Sequence, residues 1–325
     1  MTPSLPPAVA DRAAPGTATI TVTDGDLHLW SMRQPWTDDG PEAMVTSELD
    51  EGEQERAASF VQPHDRLLYL SAHVALRRLL AAYVGVPPRE VRLGRAPCPG
   101  CGGPHGRPVV LDAPTPLHFS LSHSHGLAVF GVATSPVGVD VEQVPSRETA
   151  ELCIPTLHPE ERAELDALPA DEQPVAFGRL WTRKEAYLKG IGTGLSRDLA
   201  ADYLGERRGP GAPERPPGWI VRSVPGYPSH VAAAALRTDA DHCTTARTLP
   251  TACLYAEDAT DLLASARERV CAVLPAEGTA PGNGTNENAA YENAATRGGT
   301  TGNGTNQNAT TGGGTTGNGT REEHR

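Results

Sequence analysis

Three carboxylates and two lysines lie in two short segments whose spacing would align them on a strand face and a helix face. The first segment, residues 137–142, reads VGVDVE and alternates valines with Gly138, Asp140 and Glu142. A β-strand would bury the valines and point both carboxylates to one face, about 7 Å apart. A divalent cation would relieve their repulsion, and oxygen ligands favour Mg²⁺, with Mn²⁺ as an alternative, over Zn²⁺. The competing interpretation is an edge strand with a solvated acidic face.

The second segment, residues 180–195, reads LWTRKEAYLKGIGTGL. A helix would align Trp181, Glu185 and Lys189 along one face, with Lys184 on the flank. Of the 28 basic residues of the chain, 26 are Arg and only these two are Lys. Since Lys is a compact, strongly hydrated cation and Arg is not, this distribution favours a functional role over an ordinary exposed Glu–Lys pair.

The third segment, residues 118–133, predicts two strands joined at a polar tip. The tip carries Ser122, His123, Ser124 and His125. Hydroxyls and imidazoles at a strand end can bind phosphate oxygens, or can form a turn rich in hydrogen bonds. Both interpretations stay open for this segment taken alone.

Together the three segments resemble a known family. FSLSHS, then GVDVE, then W-x-x-K-E-A-x-x-K, in this order, are similar to the 4′-phosphopantetheinyl transferases of the type that activates peptide synthetases and polyketide synthases. The resemblance covers about residues 55–236. It implies two similar α/β halves that form a pseudo-dimer, with coenzyme A in the cleft between them. It also implies transfer of 4′-phosphopantetheine to a serine of an apo acyl or peptidyl carrier protein, with release of 3′,5′-ADP.

The resemblance also implies roles for individual residues at the matching motifs. The expected Mg²⁺ ligands are Asp140, Glu142 and Glu185. The expected catalytic residues are Glu185 and Lys189, and the expected coenzyme A contacts are Arg56, Arg107, Ser122, His123, Lys184 and Lys189. Members often carry further basic residues before the long helix, where this chain has Ser59. This departure implies either a lower affinity for coenzyme A or a shift of that role to Arg66 or Arg77.

The hydrophobic patterns predict an α+β fold. The resemblance implies an N-terminal half at 17–136 and a C-terminal half at 137–237. An extension of open role follows at 238–275, and composition predicts a disordered tail at 276–325, which lacks large apolar residues. The predicted strands are 17–23, 27–30, 117–121, 127–133, 137–141, 201–204, 219–224, 230–236 and 251–255. The predicted helices are one capped by Ser47 and those at 65–84, 158–168, 175–190 and 259–273.

Composition limits the classes of partner and compartment. The net charge of −12 disfavours a nucleic-acid binder. No membrane span or signal peptide is indicated, so we expect a cytoplasmic protein with reduced cysteines. The resemblance implies a monomer that serves secondary metabolite biosynthesis. The loop CPGCGGPHG offers Cys98, Cys101 and His105 as zinc ligands, but it shows no evident fourth ligand, so we interpret it as a Gly-Pro loop.

Two other functions fit part of the pattern. A metal-dependent phosphohydrolase or nuclease could use three carboxylates and a lysine, although it would need a basic groove for a polyanion. A carrier-protein-binding module without catalysis would retain the fold and lose the chemistry. Nothing in Asp140, Glu142, Glu185 or Lys189 indicates such a loss.

Overall fold

The computed structural model describes residues 20–35, 44–224, 227–239 and 242–266, and for 268–274 the backbone alone. The fold is α+β, as predicted. The helices of these residues are α1 Glu51–Ala58, α2 Pro63–Val84, α3 Arg147–Cys153, α4 Pro159–Asp166, α5 Gln173–Ile191 and α6 Thr260–Ala264. The strands are β1 Asp26–Arg33, β2 Leu93–Arg95, β3 Pro108–Val110, β4 His118–Ser124, β5 Leu127–Ala133, β6 Val137–Gln143, β7 Trp219–Ser223, β8 His230–Arg237, β9 His242–Thr248 and β10 Glu268–Leu274. The predicted tail at 276–325 lies outside the described residues.

The strands form a larger sheet, a smaller sheet and a separate hairpin. The larger sheet has the order β10-β9-β1-β5-β4, the smaller has the order β6-β8-β7, and β2 pairs with β3. Within the larger sheet β1 pairs with β5 antiparallel and with β9 parallel. Strands β9 and β10 therefore give the segment at 238–275 a structural role, because they extend the sheet that begins with β1.

The helices and sheets stack in four layers. α2 covers one face of the larger sheet, and the opposite face of that sheet packs on the smaller sheet, whose far side is covered by α5. The core between the two sheets contains Leu29, Val129, Val139, Val141 and Ala234. Because the valines of β6 face this core, the alternate residues of β6 face α5.

α2 is the longest helix of the described residues, and the helix predicted at 65–84 matches it to within two residues. Pro63 lies in its first turn, and Gly85 ends it with a positive φ of 73°. By length and composition this helix could cross a membrane, but 89% of its most apolar window is buried inside the fold. This burial identifies α2 as a core helix of the fold.

Several element predictions were wrong, each for a local reason. The first helix begins after Asp50 and not after Ser47, because the Asp50 and Glu53 carboxylates each accept the other's backbone N–H in a capping box. Residues 201–204 form no strand, since the backbone N–H of Leu204 donates to the Glu161 carboxylate. Residues 251–254 form a 3₁₀ turn, and the predicted helix at 259–273 is the short α6 followed by β10.

Candidate active site

Serine hydroxyls of β4 join the edge strands of the two sheets. Ser120, Ser122 and Ser124 alternate along β4. The Ser120 hydroxyl accepts the backbone N–H of Val139 at 3.0 Å, and the Ser124 hydroxyl accepts that of Gln143 at 3.4 Å. Because β6 is an edge strand, these N–H groups have no strand partner on that side. The serines replace that partner and fix the position of β6 beside β4.

Two of these serines also bind the carboxylates of β6. The Ser122 hydroxyl donates to Asp140 Oδ1 at 2.8 Å, and the Ser124 hydroxyl donates to Glu142 Oε2 at 2.9 Å. The prediction from the strand pattern is thereby met, with both carboxylates on one face of β6. The solvated acidic face is excluded for Asp140, whose exposed fraction is 1%.

Gly138 allows α5 to approach the same face of β6 at backbone distance. A Cβ at this position would lie 1.9 Å from the carbonyl oxygen of Ala186 and 2.5 Å from the amide nitrogen of Gly190. Any side chain would force the helix away from the strand. The contact places the α5 residues Glu185 and Lys189 next to Asp140.

Lys189, Asp140 and Ser122 form a hydrogen-bonded group at the centre of this contact. Lys189 Nζ donates to Asp140 Oδ1 at 2.5 Å and to the Ser122 hydroxyl oxygen at 2.9 Å. The second oxygen of Asp140, Oδ2, is buried and has no hydrogen-bond partner among the described residues. A buried carboxylate oxygen without a donor is costly, so Oδ2 is suited to a bound cation.

Electrostatics point to a cation as well. Burial, and secondly the charge of Asp140, raise the pKa of both Glu142 and Glu185. Lys189 opposes this increase at both residues but does not cancel it. The oxygens of the three carboxylates do not all lie within 4.8 Å of one another. Side-chain rotation must therefore bring them onto a single ion, and binding of a cation would relieve their repulsion.

An aromatic and imidazole group adjoins the carboxylates on the α2 side. His123 contacts the edge of Tyr69, which stacks on His73 with ring centroids 4.0 Å apart. His73 Nδ1 lies 3.0 Å from the Glu53 carboxylate. Burial, followed by the charges of His73 and Lys189, lowers the pKa of His123 to about 4. His123 is therefore neutral at pH 7 and can serve as a hydrogen-bond donor or acceptor.

Two of the predicted coenzyme A contacts lie on this side of the cluster. The Arg56 guanidinium lies 5.0 Å from the centre of the Phe60 ring and is close enough to Tyr69 to oppose the increase in the pKa of that phenol. Arg56 and His123 thus flank Tyr69. Tyr69 and His73 were not predicted as site residues, whereas Ser124 was named only as part of the polar tip of β4.

Arg107 lies at the opposite end of β4 from His123. It lies near His118 and Arg237, and its backbone approaches Gly192 at the end of α5. Its Nε is buried without a partner among the described residues. Five residues of strand separate His118 from His123, a span of about 17 Å. The structure therefore does not bring Arg107 and His123 to the same point.

The prediction that Lys184 binds the ligand is wrong. Its side chain is buried, and Nζ donates to Glu161 Oε2 at 2.8 Å and to the carbonyl oxygens of Leu199 and Asp202 at 2.7 Å. The helix turns Lys184 about 100° away from Glu185, towards α4. Lys184 therefore anchors α5 in the fold.

Arg77 is also excluded from the ligand contacts suggested for it. Its guanidinium is buried and binds Asp50 and Glu53 at 2.6 and 2.5 Å. These contacts hold α2 against the capping box of α1. Arg66, by contrast, is exposed in the first turns of α2.

We expect Lys184→Met to destabilise the fold by about 3–5 kcal/mol, because removal of one partner leaves the buried Glu161 charge uncompensated. Urea unfolding measures this change. Arg179→Met, which removes an exposed cation from the same helix, should unfold like the unmodified chain. Equal stability of Lys184→Met and the unmodified chain would contradict the assignment.

Comparison with known proteins gives a consistent set of similarities. The model of the 4′-phosphopantetheinyl transferase superfamily matches residues 136–215, which include β6 and α5. The chain is 30% identical over 224 residues to the 4′-phosphopantetheinyl transferase HetI of Nostoc sp. (strain PCC 7120), a match that covers 67% of this chain and 90% of HetI. It is 30% identical over 156 residues to the 4′-phosphopantetheinyl transferase Sfp of Bacillus subtilis (strain 168), covering 46% of this chain and 69% of Sfp.

Proposed function

The chain belongs to the 4′-phosphopantetheinyl transferase superfamily, and we propose that its Asp140, Glu142 and Glu185 hold Mg²⁺ against the diphosphate of coenzyme A during transfer. As a 4′-phosphopantetheinyl transferase, the enzyme moves the phosphopantetheine group of coenzyme A to a carrier protein. The metal, the residue roles and the class of carrier are the parts of this proposal that go beyond family membership.

One observation carries the metal assignment. In the part of the chain that the structure describes, Asp140 Oδ2 is buried without a hydrogen-bond partner, beside two further carboxylates whose pKa values are raised by burial and by the charge of Asp140. Carboxylate oxygens are the ligands that Mg²⁺ prefers. When bound there, the ion would neutralise charge on the diphosphate and on the departing 3′,5′-ADP.

The protein residues supply the proton transfer and the positioning. In the proposed step the carrier serine oxygen bonds to the β-phosphorus as the bond from that phosphorus to the bridging oxygen breaks, and the electron pair leaves with 3′,5′-ADP. Glu185 accepts the serine proton. Burial and the charge of Asp140 raise the pKa of Glu185 in the metal-free protein, and a bound cation would oppose this increase. Lys189, already held by Asp140 and Ser122, would donate to a phosphate oxygen.

The nucleotide end of coenzyme A would lie towards α2. Arg56 is the exposed cation on this side, whereas His123 is neutral at pH 7 and offers a hydrogen bond without charge. Tyr69 lies between the two and presents a ring face for contact. Arg107, at the other end of β4, would contact a different part of the same ligand.

The experiment that tests the proposal combines the enzyme with an apo carrier protein, coenzyme A and Mg²⁺. Intact mass spectrometry should show a carrier that gains one phosphopantetheine group, and a chelator of divalent ions should stop the reaction. A phosphohydrolase would cleave coenzyme A without modifying the carrier. A binding module would leave both unchanged. Full transfer in the presence of the chelator would reject the metal assignment.

Glu185→Gln is expected to lower the transfer rate by about 10²–10⁴-fold, the usual contribution of a general base. The same change should raise Tm at neutral pH by a few degrees, since about 1 kcal/mol corresponds to roughly 2–4 °C in a domain of this size. The folded-state pKa of Glu185 is raised, so its ionisation destabilises the fold as pH rises through that pKa.

Thermal unfolding with chelator present, at acidic and neutral pH, checks the second part of this prediction. Below the unfolded-state pKa of about 4.3 the carboxyl is protonated in both states, so the Tm difference should vanish there. A transfer rate equal to that of the unmodified enzyme would refute the role of Glu185 as base.

The carriers, compartment and oligomeric state stay predictions. Because carrier proteins are usually acidic and this chain has a net charge of −12, attraction must come from a local patch. We propose carriers of peptide and polyketide synthesis, and a monomeric enzyme acting in the cytoplasm. Assays with fatty-acid, polyketide and peptide carriers side by side would identify the preferred class.

A further inference from the structure

The loop between β2 and β3 is folded by its own backbone hydrogen bonds. The N–H of Ala96 donates to the carbonyl of Arg107 at 3.0 Å, and the N–H of Gly106 donates to that of Ala96 at 3.0 Å. Inside this closure, the Cys98 carbonyl accepts the N–H of Gly102 at 2.7 Å. The hairpin tip is thus a defined structure and not the plain loop predicted from composition.

Three metal-binding side chains converge at this tip. The donor atoms of Cys98, Cys101 and His105 all lie within 4.8 Å of one another, and Cys101 Sγ lies 2.9 Å from His105 Nε2. Among the residues that the structure describes, no other His, Cys, Asp or Glu side chains form such a group of three. Two thiolates and an imidazole are the donor set that zinc prefers.

The surrounding backbone favours the metal-binding form of the thiols. Cys98 is buried, and its sulphur accepts the N–H groups of Cys101 and Gly100. The N–H of Gly103 donates to Cys101 Sγ at 3.4 Å. Amide donors aimed at sulphur stabilise thiolate, which is the form that binds a metal.

Glycines make the convergence of the three side chains possible. Gly102 has a positive φ of 73°, which reverses the chain between the cysteines and the histidine. A Cβ at Gly103 would lie 3.0 Å from the His105 ring and 3.3 Å from Cys101 Sγ. A Cβ at Gly106 would lie 2.4 Å from the Ala96 carbonyl oxygen.

We propose that Cys98, Cys101 and His105 bind one zinc ion, with a water molecule as the fourth ligand. This site is separate from the carboxylate cluster and needs none of its residues. Its position suggests a structural role, because the chain continues from His105 into Arg107, whose backbone packs against Gly192 at the end of α5. Zinc would hold this hairpin tip in a single conformation.

Metal content of the full chain tests the proposal. Protein purified without chelator, or dialysed against zinc and then desalted, should contain about one zinc per chain. Cys101→Ser and Cys98→Ser should lose nearly all of it, and His105→Ala most of it. Cys153→Ser removes a half-buried cysteine on α3 and should retain full content. Absence of zinc from the unmodified chain after both treatments would overturn the proposal, as would full zinc content in Cys101→Ser.

Cobalt substitution tests the ligand set without any variant. Co²⁺ added to the metal-free chain should produce a thiolate charge-transfer band in the near ultraviolet and intense visible bands typical of tetrahedral coordination. Zinc should displace these bands at one equivalent. Weak bands typical of octahedral oxygen ligation would overturn the assignment. So would a Cys98–Cys101 disulfide in protein kept under reducing conditions, because oxidised sulphurs could not ligate the ion.

Discussion

Asp140→Asn should lower kcat/KM for transfer by about 10³-fold or more, a loss comparable with removal of a preorganised charge-stabilising group. Asp140 binds Lys189 and Ser122 through one oxygen and leaves the other buried and unpartnered. Asparagine keeps the shape but removes the charge, and its amide N–H₂ must face either the Lys189 ammonium or the proposed cation. Either contact is repulsive, so the lysine or the metal loses its fixed position.

Steady-state kinetics with coenzyme A and apo carrier measure this loss, and thermal unfolding with added Mg²⁺ separates it from misfolding. The unmodified enzyme should gain Tm with Mg²⁺, and Asp140→Asn should not. Asp166→Asn makes the same chemical change at an exposed position of α4 and should retain both the rate and the Mg²⁺ response. A Mg²⁺-dependent Tm increase in Asp140→Asn equal to that of the unmodified enzyme would remove Asp140 from the metal site.

Gly138→Ala should destabilise the fold by about 3 kcal/mol or more and reduce the activity of the remaining folded protein by about 10²-fold. The added Cβ would lie 1.9 Å from the Ala186 carbonyl oxygen and 2.5 Å from the Gly190 nitrogen. Both are backbone atoms of a packed helix, so they cannot rotate away as a side-chain end could. α5 must shift as a unit, and Glu185 moves away from Asp140.

Urea unfolding and transfer assays on the same preparation check both effects. Gly52→Ala is the matched control, because a Cβ there meets nothing closer than 3.6 Å and lies inside α1. That control should be neutral or should stabilise by up to about 1 kcal/mol, since alanine is the better helix former. Unchanged stability of Gly138→Ala would show that β6 and α5 do not approach as closely as the structure has them.

The sequence could predict the part of the site whose chemistry is local. The alternation in β6 placed Asp140 and Glu142 on one face, and the four-residue spacing in α5 placed Glu185 and Lys189 on another. Family resemblance assigned Lys184 to the ligand as well, but helical geometry turns it towards Glu161. A motif match shows which residue types occur together. It does not show which of them contact the ligand and which of them stabilise the fold.

The pairing of strands that lie far apart in the chain could not be predicted, for a different reason. β9 lies parallel to β1 although more than 200 residues separate them, and nothing local in either strand indicates that partner. Tyr69 and His73 were not predicted as site residues because they lie within the apolar pattern of a core helix. In such a pattern two polar side chains that face the candidate site add no periodicity of their own. The zinc ligands were visible, but only the backbone hydrogen bonds around them showed that they converge.

The position of β9 between β1 and β10 also affects the order in which the molecule can assemble. β9, one of the two neighbours of β1, follows β1 in the chain by more than 200 residues, after the entire β6 and α5 region. During translation β1 therefore waits with one edge unpaired, open to pairing with other nascent chains, until about 200 further residues have emerged. Aggregation of the nascent chain is consequently a risk until β9 has been made and pairs with β1.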